Sequence, residues 1–277
     1  MHTHISAEHN LFDLKLKETW QYRDLIRMFT KRSFQVSYAQ TILGPLWLFI
    51  KPLLTSLVYV VLFGNIAGLS TDGIPMLLFY LTGNAIWEFF SNCFNSNANT
   101  FVNNARLFGK VYFPRLVVPI SNMLSAAIRW AIQMILVVAL AAYYIAAGVL
   151  APNWAALVLV PLLLVWLGLL GMGCGIIISS LTTTYRDLQV LVGFGVTLWM
   201  YATPVVYPLS TVKASWLRSI LAINPVTAPV EIFRYAVLGT GTIDALMIGV
   251  SLAITAIVVL LGIIVFNRVE RTFMDRV

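Results

Sequence analysis

The chain has 277 residues, is 60% hydrophobic and only 10% charged, and has a mean hydropathy of +0.86. Soluble domains carry about 25% charged residues, so the composition excludes a soluble fold and indicates an integral membrane protein. The net charge of +7 in so apolar a chain bears on sidedness in a bilayer, not on nucleic acid, which is not expected as a partner. Cys93 and Cys174 fall in apolar runs and all three histidines lie within the first nine residues, so a disulfide framework, a zinc site and histidine catalysis are not expected.

In chain order, residues 1–36 form a mixed polar and cationic arm without the short apolar core of a signal peptide, so no cleavage is expected. Within it, residues 11–34 read as an amphipathic helix. Tyr22, Leu25, Ile26 and Phe29 recur on one face, and Arg23, Arg27 and Lys31 recur every four residues on another. Such a helix lies in the headgroup plane, apolar side down, and its periodicity serves an anchor and a docking surface for a cytoplasmic partner equally well. Residues 37–277 form the membrane domain.

The first span is expected over residues 46–67, whose 22 residues reach about 33 Å at 1.5 Å each, enough for a hydrocarbon core of about 30 Å. Gly44 and Pro45 mark its start, Pro52 should kink it, and Lys51 can snorkel to the interface. After the turn-rich GLSTDGIP, a second helix spans about 76–97. Its inner half is rich in asparagine and serine, which are costly unpaired in hydrocarbon, so that half should face protein or water. Glu88 lies near its middle, and Arg129 lies near the middle of a third helix at 116–147. Charges at that depth are rare unless paired, so the two are expected to form an intramembrane ion pair, structural in preference to substrate-binding.

Between helices two and three, residues 103–115 are too basic to cross and rich in aromatics. Phe108, Val111, Tyr112 and Phe113 beside Arg106, Lys110 and Arg115 suit a groove on another protein, or equally an interfacial loop. The fourth helix, 155–181, carries Gly171, Gly175 and Ser179 at four-residue spacing, a stripe that fits packing within one subunit as well as dimerisation. The fifth, 186–204, meets Pro204 and Pro208; its 16 residues from 188 to 203 reach only about 24 Å. The external region 205–242 holds two apolar segments separated by Asn224-Pro225, each too short to span, so they should dip into the outer leaflet and return. The sixth helix, 243–266, leads to a short charged tail.

The cations give the sidedness. Lys15, Lys17, Arg23, Arg27, Lys31 and Arg32 precede helix one; Arg106, Lys110 and Arg115 follow helix two; Arg186 follows helix four; Arg268, Arg271 and Arg276 follow helix six. By the positive-inside bias both termini are cytoplasmic. The expected fold is an all-α integral membrane protein with six transmembrane helices, an N-terminal interfacial helix and an external re-entrant pair.

Several stretches together resemble a family. YAQTILGPLW at 38–47, DGIP at 72–75, KVYFPR at 110–115, YRD at 185–187, PVVYP at 204–208 and NP at 224–225, in this order and spacing, are similar to the permease subunits of ATP-binding-cassette type 2 exporters of lipid-linked polysaccharides. KVYFPR and LGPLW favour the O-antigen branch over the teichoic or capsular ones, and Thr203, where many relatives carry serine, is a small departure. The resemblance implies a multi-pass protein of the bacterial cytoplasmic (inner) membrane. It implies a homodimer whose first and fifth helices line a channel, joined to two ATPase subunits that bind ATP and Mg, with no cofactor on this chain. It favours ATPase coupling for Arg23, Arg27, Arg106, Phe108, Lys110, Tyr112 and Arg115, and gating for the external pair.

No GxxxxGK[ST] loop is present to cradle phosphates, so hydrolysis must come from another polypeptide. A polyhydroxyl polymer cannot cross hydrocarbon, but aromatic rings can stack on sugar faces without tight binding. Tyr59, Phe63, Trp199, Tyr201 and Tyr207 are the candidates, against an even alternative of ordinary packing for each. A membrane enzyme of lipid-linked sugar metabolism would need convergent carboxylates, whereas Asp72, Glu88, Asp187, Glu231 and Asp244 are scattered. An ion-coupled carrier would need inverted repeats, and none is apparent.

Overall fold

A computed structural model describes residues 16–39, 41–108, 111, 113–182 and 187–273, with the side chains of 105, 106 and 269–273 excepted. Their regular structure is helical throughout. Two amphipathic helices, α1 (Leu16–Gln21) and α2 (Arg23–Tyr38), precede a first long element. That element starts in a 3-10 turn at Gly44–Leu46, runs as α3 (Trp47–Tyr59) with Pro52 inside it, and loosens into a π-helical stretch at Val60–Ile66. Then come α4 (Met76–Ala98), α5 (Thr100–Phe108), α6 (Val117–Ala146), α7 (Trp154–Leu157), α8 (Val160–Thr182), α9 (Leu188–Tyr201), α10 (Ser215–Ile223), α11 (Thr227–Leu238) and α12 (Ala245–Phe273).

Four of these elements are long and apolar enough to cross a membrane: Gly44–Ile66, Val117–Ala146, Val160–Thr182 and Ala245–Arg268. Helix α4, at 23 residues, is as long as two of them but less apolar, because it is the axis of the bundle. Its buried residues run almost without a break from Leu78 to Phe90, and α3, α6, α8 and α11 pack around it. The expectation for its polar inner half holds. Asn97 Nδ2 donates to Cys93 O (2.8 Å), Asn122 on α6 donates to Ser96 O (3.2 Å), and Thr182 on α8 donates to Ala98 O (3.2 Å). The amides of Asn97 and Asn122, which lipid would leave unpaired, are answered by protein.

Helix α8 approaches α4 closely because its facing positions lack side chains. A Cβ on Gly171 would lie 2.9 Å from Cys93 Cβ, and one on Gly175 would lie 2.6 Å from Phe94 O. Ser179 completes the stripe by accepting from Phe101 N at 3.3 Å. The stripe is therefore a packing device inside this chain. On its other side α8 meets α12, where a Cβ on Gly262 would be 3.3 Å from Gly173 Cα.

A second apolar core lies at the end of the bundle that carries the chain's cations. Ile26 of α2 joins Phe101 and Phe108 of α5, Phe113, Val117 and Val118 at the start of α6, Ile176 of α8 and Phe266 of α12. Protein covers the apolar face of the N-terminal helix, where lipid was expected. The face bearing Tyr22, Leu25, Ile26 and Phe29 packs on protein, and the Phe29 ring stands edge-on to Phe113 with centroids 5.9 Å apart.

Three boundaries differ from expectation. The fourth helix is broken at Val158-Leu159: Asn153 caps α7 by accepting from Ala156 N at 3.1 Å, and Pro161 takes the first turn of α8, where its missing N–H costs nothing. The last helix continues past Phe266 to Phe273 in place of a tail. The fifth, α9, is 14 residues, or about 21 Å. Beyond it α10 and α11 are separate short helices on either side of Asn224-Pro225, and Gly239 in the left-handed conformation (φ 72°) ends α11.

Candidate functional site

A cavity of about 590 Å³ lies between α3, α4, α6 and α9, with the C-terminal end of α2 at its edge. Side chains reach it in register because each helix offers a short polar stripe inside an otherwise apolar face. Helix α4 contributes Asn84, Glu88, Ser91 and Asn92, and α6 contributes Arg129 and Gln133.

The charges in this cavity are arranged differently from the sequence expectation. Glu88 and Arg129 both face it, but no ion pair joins them. Lys51 Nζ lies 3.7 Å from Glu88 Oε1, with the lysine side chain 73% exposed, while Arg129 Nη1 is 3.5 Å from Ser37 Oγ on α2. The reason is the packing of α3 along α4, which brings the long lysine stem to the Glu88 level. Arg129 points instead toward the end of α2. Lys51 is thus a cavity residue, whereas its sequence position suggested only snorkelling.

The aromatic candidates divide. Tyr59 and Tyr201 line the cavity, and Phe63 stands edge-on to Tyr59 with centroids 5.7 Å apart. Trp199 is committed to packing, its ring 5.1 Å from Phe90 and 6.4 Å from Phe94. Tyr207 donates its hydroxyl to Tyr201 O at 3.2 Å, fixing the loop after α9.

Two polar centres near the far end of α9 escaped sequence reasoning. Asn224 uses its whole amide: Oδ1 accepts from Trp199 Nε1 (3.0 Å) and Val226 N (3.1 Å), and Nδ2 donates to Ala202 O (3.0 Å) and Thr203 Oγ1 (2.8 Å). It ties the end of α9 to the turn between α10 and α11. The second centre is a buried ion pair, Glu231 with Arg234, Oε1 to Nη1 at 3.1 Å and each side chain 2% exposed. Arg234 also donates to the carbonyls of Val205 and Tyr207, and its guanidinium lies 4.2 Å from the Phe79 ring centroid. Glu231 Oε2 accepts from Thr242 N at 2.8 Å. A glutamate and an arginine at i, i+3 within the apolar run VEIFRYAV was the available signal. A Cβ on Gly83 of α4 would fall 2.6 Å from Val205 O, so glycine is what admits this loop.

Of the coupling candidates, Arg23 and Arg27 are exposed on the outer face of α2. Phe108 (3% exposed) and Arg115 (6%) are not surface groups: Phe108 fills the second core, and the Arg115 guanidinium sits 5.7 Å from its ring centroid. Within the chain both serve as internal packing groups. The Arg106 side chain, Lys110 and Tyr112 lie outside the described residues. Among the described residues no three His, Cys, Asp or Glu side chains converge as metal ligands.

Residues 24–238 match the family described as ABC-2 type transporter. Among curated relatives, the O-antigen export system permease protein RfbA of Myxococcus xanthus is 32% identical over 214 residues, covering 77% of this chain and 80% of its own length. A protein of the same name from Klebsiella pneumoniae is 26% identical over 265 residues, covering 95% of this chain and 98% of its own.

Proposed function

The chain belongs to the ABC-2 type transporter family, and from that premise we propose that it is the channel-forming subunit of an ATP-driven exporter moving a lipid-linked polysaccharide of O-antigen type across the bacterial cytoplasmic membrane. The observation that carries this is the similarity to O-antigen export permeases along 95% of the chain. The sequence has no phosphate-cradling loop, which supports a transport subunit whose ATP and Mg are bound by a partner ATPase. Two copies of this chain with two ATPase subunits is the assembly proposed.

Six crossings are proposed: α3 with its π-helical end, α4, α6, α8, α9 and α12, with both termini cytoplasmic by charge. Helix α4 can cross despite its amides because protein sheathes it, and α9 can do so with the help of the turn that follows it. Helices α10 and α11, at 9 and 12 residues, are each too short to cross and suit a re-entrant external cap. The basic outer stripe of α2, with Arg23 and Arg27, and the surface of segment 103–115 are the proposed ATPase contacts.

Deleting the gene tests this. Surface polysaccharide should disappear while lipid-linked polymer accumulates inside, and the gene restored in trans should reverse both. Unchanged surface polysaccharide in the deletion strain would refute the assignment.

A further inference from the structure

Two cations and one carboxylate line the cavity between α3, α4, α6 and α9, and the carboxylate is held by the weaker partner. Glu88 of α4 has Lys51 of α3 at 3.7 Å, near the outer limit of an ion pair, with the lysine side chain 73% and the glutamate side chain 22% exposed. A pair so long and so wet holds little. Arg129 of α6 lines the same cavity, and its Nη1 stands 3.5 Å from Ser37 Oγ of α2, too far for a firm hydrogen bond. Tyr38, next to Ser37, feels the charge of both Arg129 and Glu88, which puts the two within electrostatic range of one side chain. A guanidinium is the better carboxylate partner, because its planar fork can bind both oxygens at once. The stronger cation is thus spent on a distant hydroxyl.

The three groups stand on elements held with different firmness. Helices α4 and α6 pack together at the centre of the bundle, whereas only 11% of the most apolar stretch of the first span is buried. That span starts at Gly44, which is in the left-handed conformation (φ 50°) with no atom within 4 Å of where a Cβ would stand, so little resists a tilt there. A tilt that carried Lys51 away would leave a carboxylate unpaired inside the membrane, which is costly. A second cation in the same cavity removes that cost.

We propose that Glu88 exchanges Lys51 for Arg129, and that this exchange is a two-position latch setting the distance between α3 and α4. In the position the structure holds, Lys51 ties α3 to α4 and Arg129 faces the end of α2. In the other, Arg129 takes the carboxylate, Lys51 is freed, and α3 tilts outward and widens the cavity. The carboxylate is paired in both, so the two positions differ by little and a small push selects between them. Ser37 and Tyr38 end the helix whose Arg23 and Arg27 are the proposed ATPase contacts, and a shift of α2 that releases Arg129 supplies that push. Arg129 is a positioning residue that acts on α3 through Glu88. The latch rests on the exporter reading and adds to it the side chains that carry motion from α2 to the cavity wall.

The test uses the full chain with its ATPase in lipid nanodiscs. Thr55 lines the cavity one turn beyond Lys51, and Thr55→Cys with Cys93→Ala and Cys174→Ala leaves the chain a single thiol there. Its rate of labelling by a neutral hydrophilic maleimide, read on the separated permease band, reports how open the cavity is; a neutral reagent keeps the loss of a charge from altering the rate directly. Lys51→Met should speed labelling about threefold and Arg129→Gln should slow it about threefold. Opposite signs for the loss of like charges are not what a merely structural role gives. Both effects should vanish in a Glu88→Gln background, and Lys51→Arg, which grips the carboxylate more firmly, should slow labelling. A non-hydrolysable ATP analogue should change the rate in the unsubstituted reporter complex and not with Arg129→Gln. Equal signs, unchanged rates, effects that survive in Glu88→Gln, or no analogue response that depends on Arg129 would each overturn the latch. If Arg129→Gln fails to insert, Lys51→Arg decides, and a rate unchanged or raised refutes the exchange. Labelling reads the chain itself, so its failure leaves the exporter reading standing, whereas surface polysaccharide surviving gene deletion refutes that reading independently.

Discussion

Replacing Arg234 with methionine perturbs the most deeply buried ion pair described in the chain. In the native fold its guanidinium pairs with Glu231 at 3.1 Å, donates to the carbonyls of Val205 and Tyr207, and covers the face of Phe79. Methionine fills much of the same volume but leaves the Glu231 carboxylate, 2% exposed, without its counter-charge. Breaking a buried pair from one side costs about 3–5 kcal/mol, and the two orphaned carbonyls add about 1 kcal/mol each, partly offset by methionine packing. A loss of about 5 kcal/mol is expected. Glu231→Gln alone should cost about 3 kcal/mol, because the amide oxygen still accepts from Thr242 N while Arg234 loses its charge partner. The double variant carries no buried charge and should lose about 5 kcal/mol, leaving a coupling of about 3 kcal/mol. Unfolding in mixed micelles titrated with SDS, followed by tryptophan fluorescence, measures all four corners of the cycle. Losses that simply add to about 8 kcal/mol would show that the pair contributes no energy of its own and would refute the reasoning.

The other expectations follow from the same contacts. Gly175→Val should destabilise by at least about 3 kcal/mol, since even its Cβ would lie 2.6 Å from Phe94 O and 2.7 Å from Asn97 Cβ; Gly193→Ala on α9, with no atom within 4 Å, should be neutral or stabilising by up to about 1 kcal/mol in the same titration. Phe108→Ala should cost about 3–5 kcal/mol as a cavity in the second core and lower the yield of folded protein. Arg23→Glu with Arg27→Glu, on an exposed face, should leave stability within about 0.5 kcal/mol and sharply reduce co-purification of the ATPase; wild-type levels of co-purification would remove α2 from that interface. Lys51→Met should cost less than about 1 kcal/mol, because its pair with Glu88 is long, 3.7 Å, and its own side chain is 73% exposed.

What the sequence made legible follows from the two solvents a membrane chain meets. Continuous apolar runs gave the first three long helices within a residue or two, because backbone satisfaction in hydrocarbon leaves few alternatives to a helix, while the break before α8 and the extension of α12 past Phe266 were missed. The polar half of α4 was legible for a related reason: amides cannot stay unpaired in lipid, so Ser96, Asn97 and their neighbours had to meet protein. Rotation about a helix axis was not legible. Glu88 and Arg129 were assigned to each other by depth alone, and depth does not say which face of α6 turns toward α4 or that Lys51 on α3 arrives first. An amphipathic face reads the same whether lipid or protein covers it, so the sequence did not show that α6 and Phe113 cover that face of α2. The same ambiguity hid Phe108 and Arg115, whose aromatic and cationic character suits a docking surface and a buried cation–π contact alike.

The distribution of these contacts divides the chain into a fixed end and a looser one. At the far end of α9, Asn224 spends all four of its hydrogen-bonding positions on Trp199, Ala202, Thr203 and Val226. Arg234 holds Val205 and Tyr207, Ser251 of α12 donates to Pro225 O, and Ser210 donates to the Asp72 carboxylate. Most of these bonds join segments that a rearrangement would have to separate, so α9, the loop that follows it and α11 are expected to move as one body. The first span is held differently. Only 11% of its most apolar stretch is buried, its end is π-helical, and its ionic tie to α4 is the long Lys51–Glu88 contact. Weak packing on one wall of a cavity and dense hydrogen bonding on another let the space between them change while the bundle around α4 stays intact. That asymmetry is what a conduit for a bulky polymer requires, since its walls must part for each sugar residue and close again without unfolding the helices that span the bilayer.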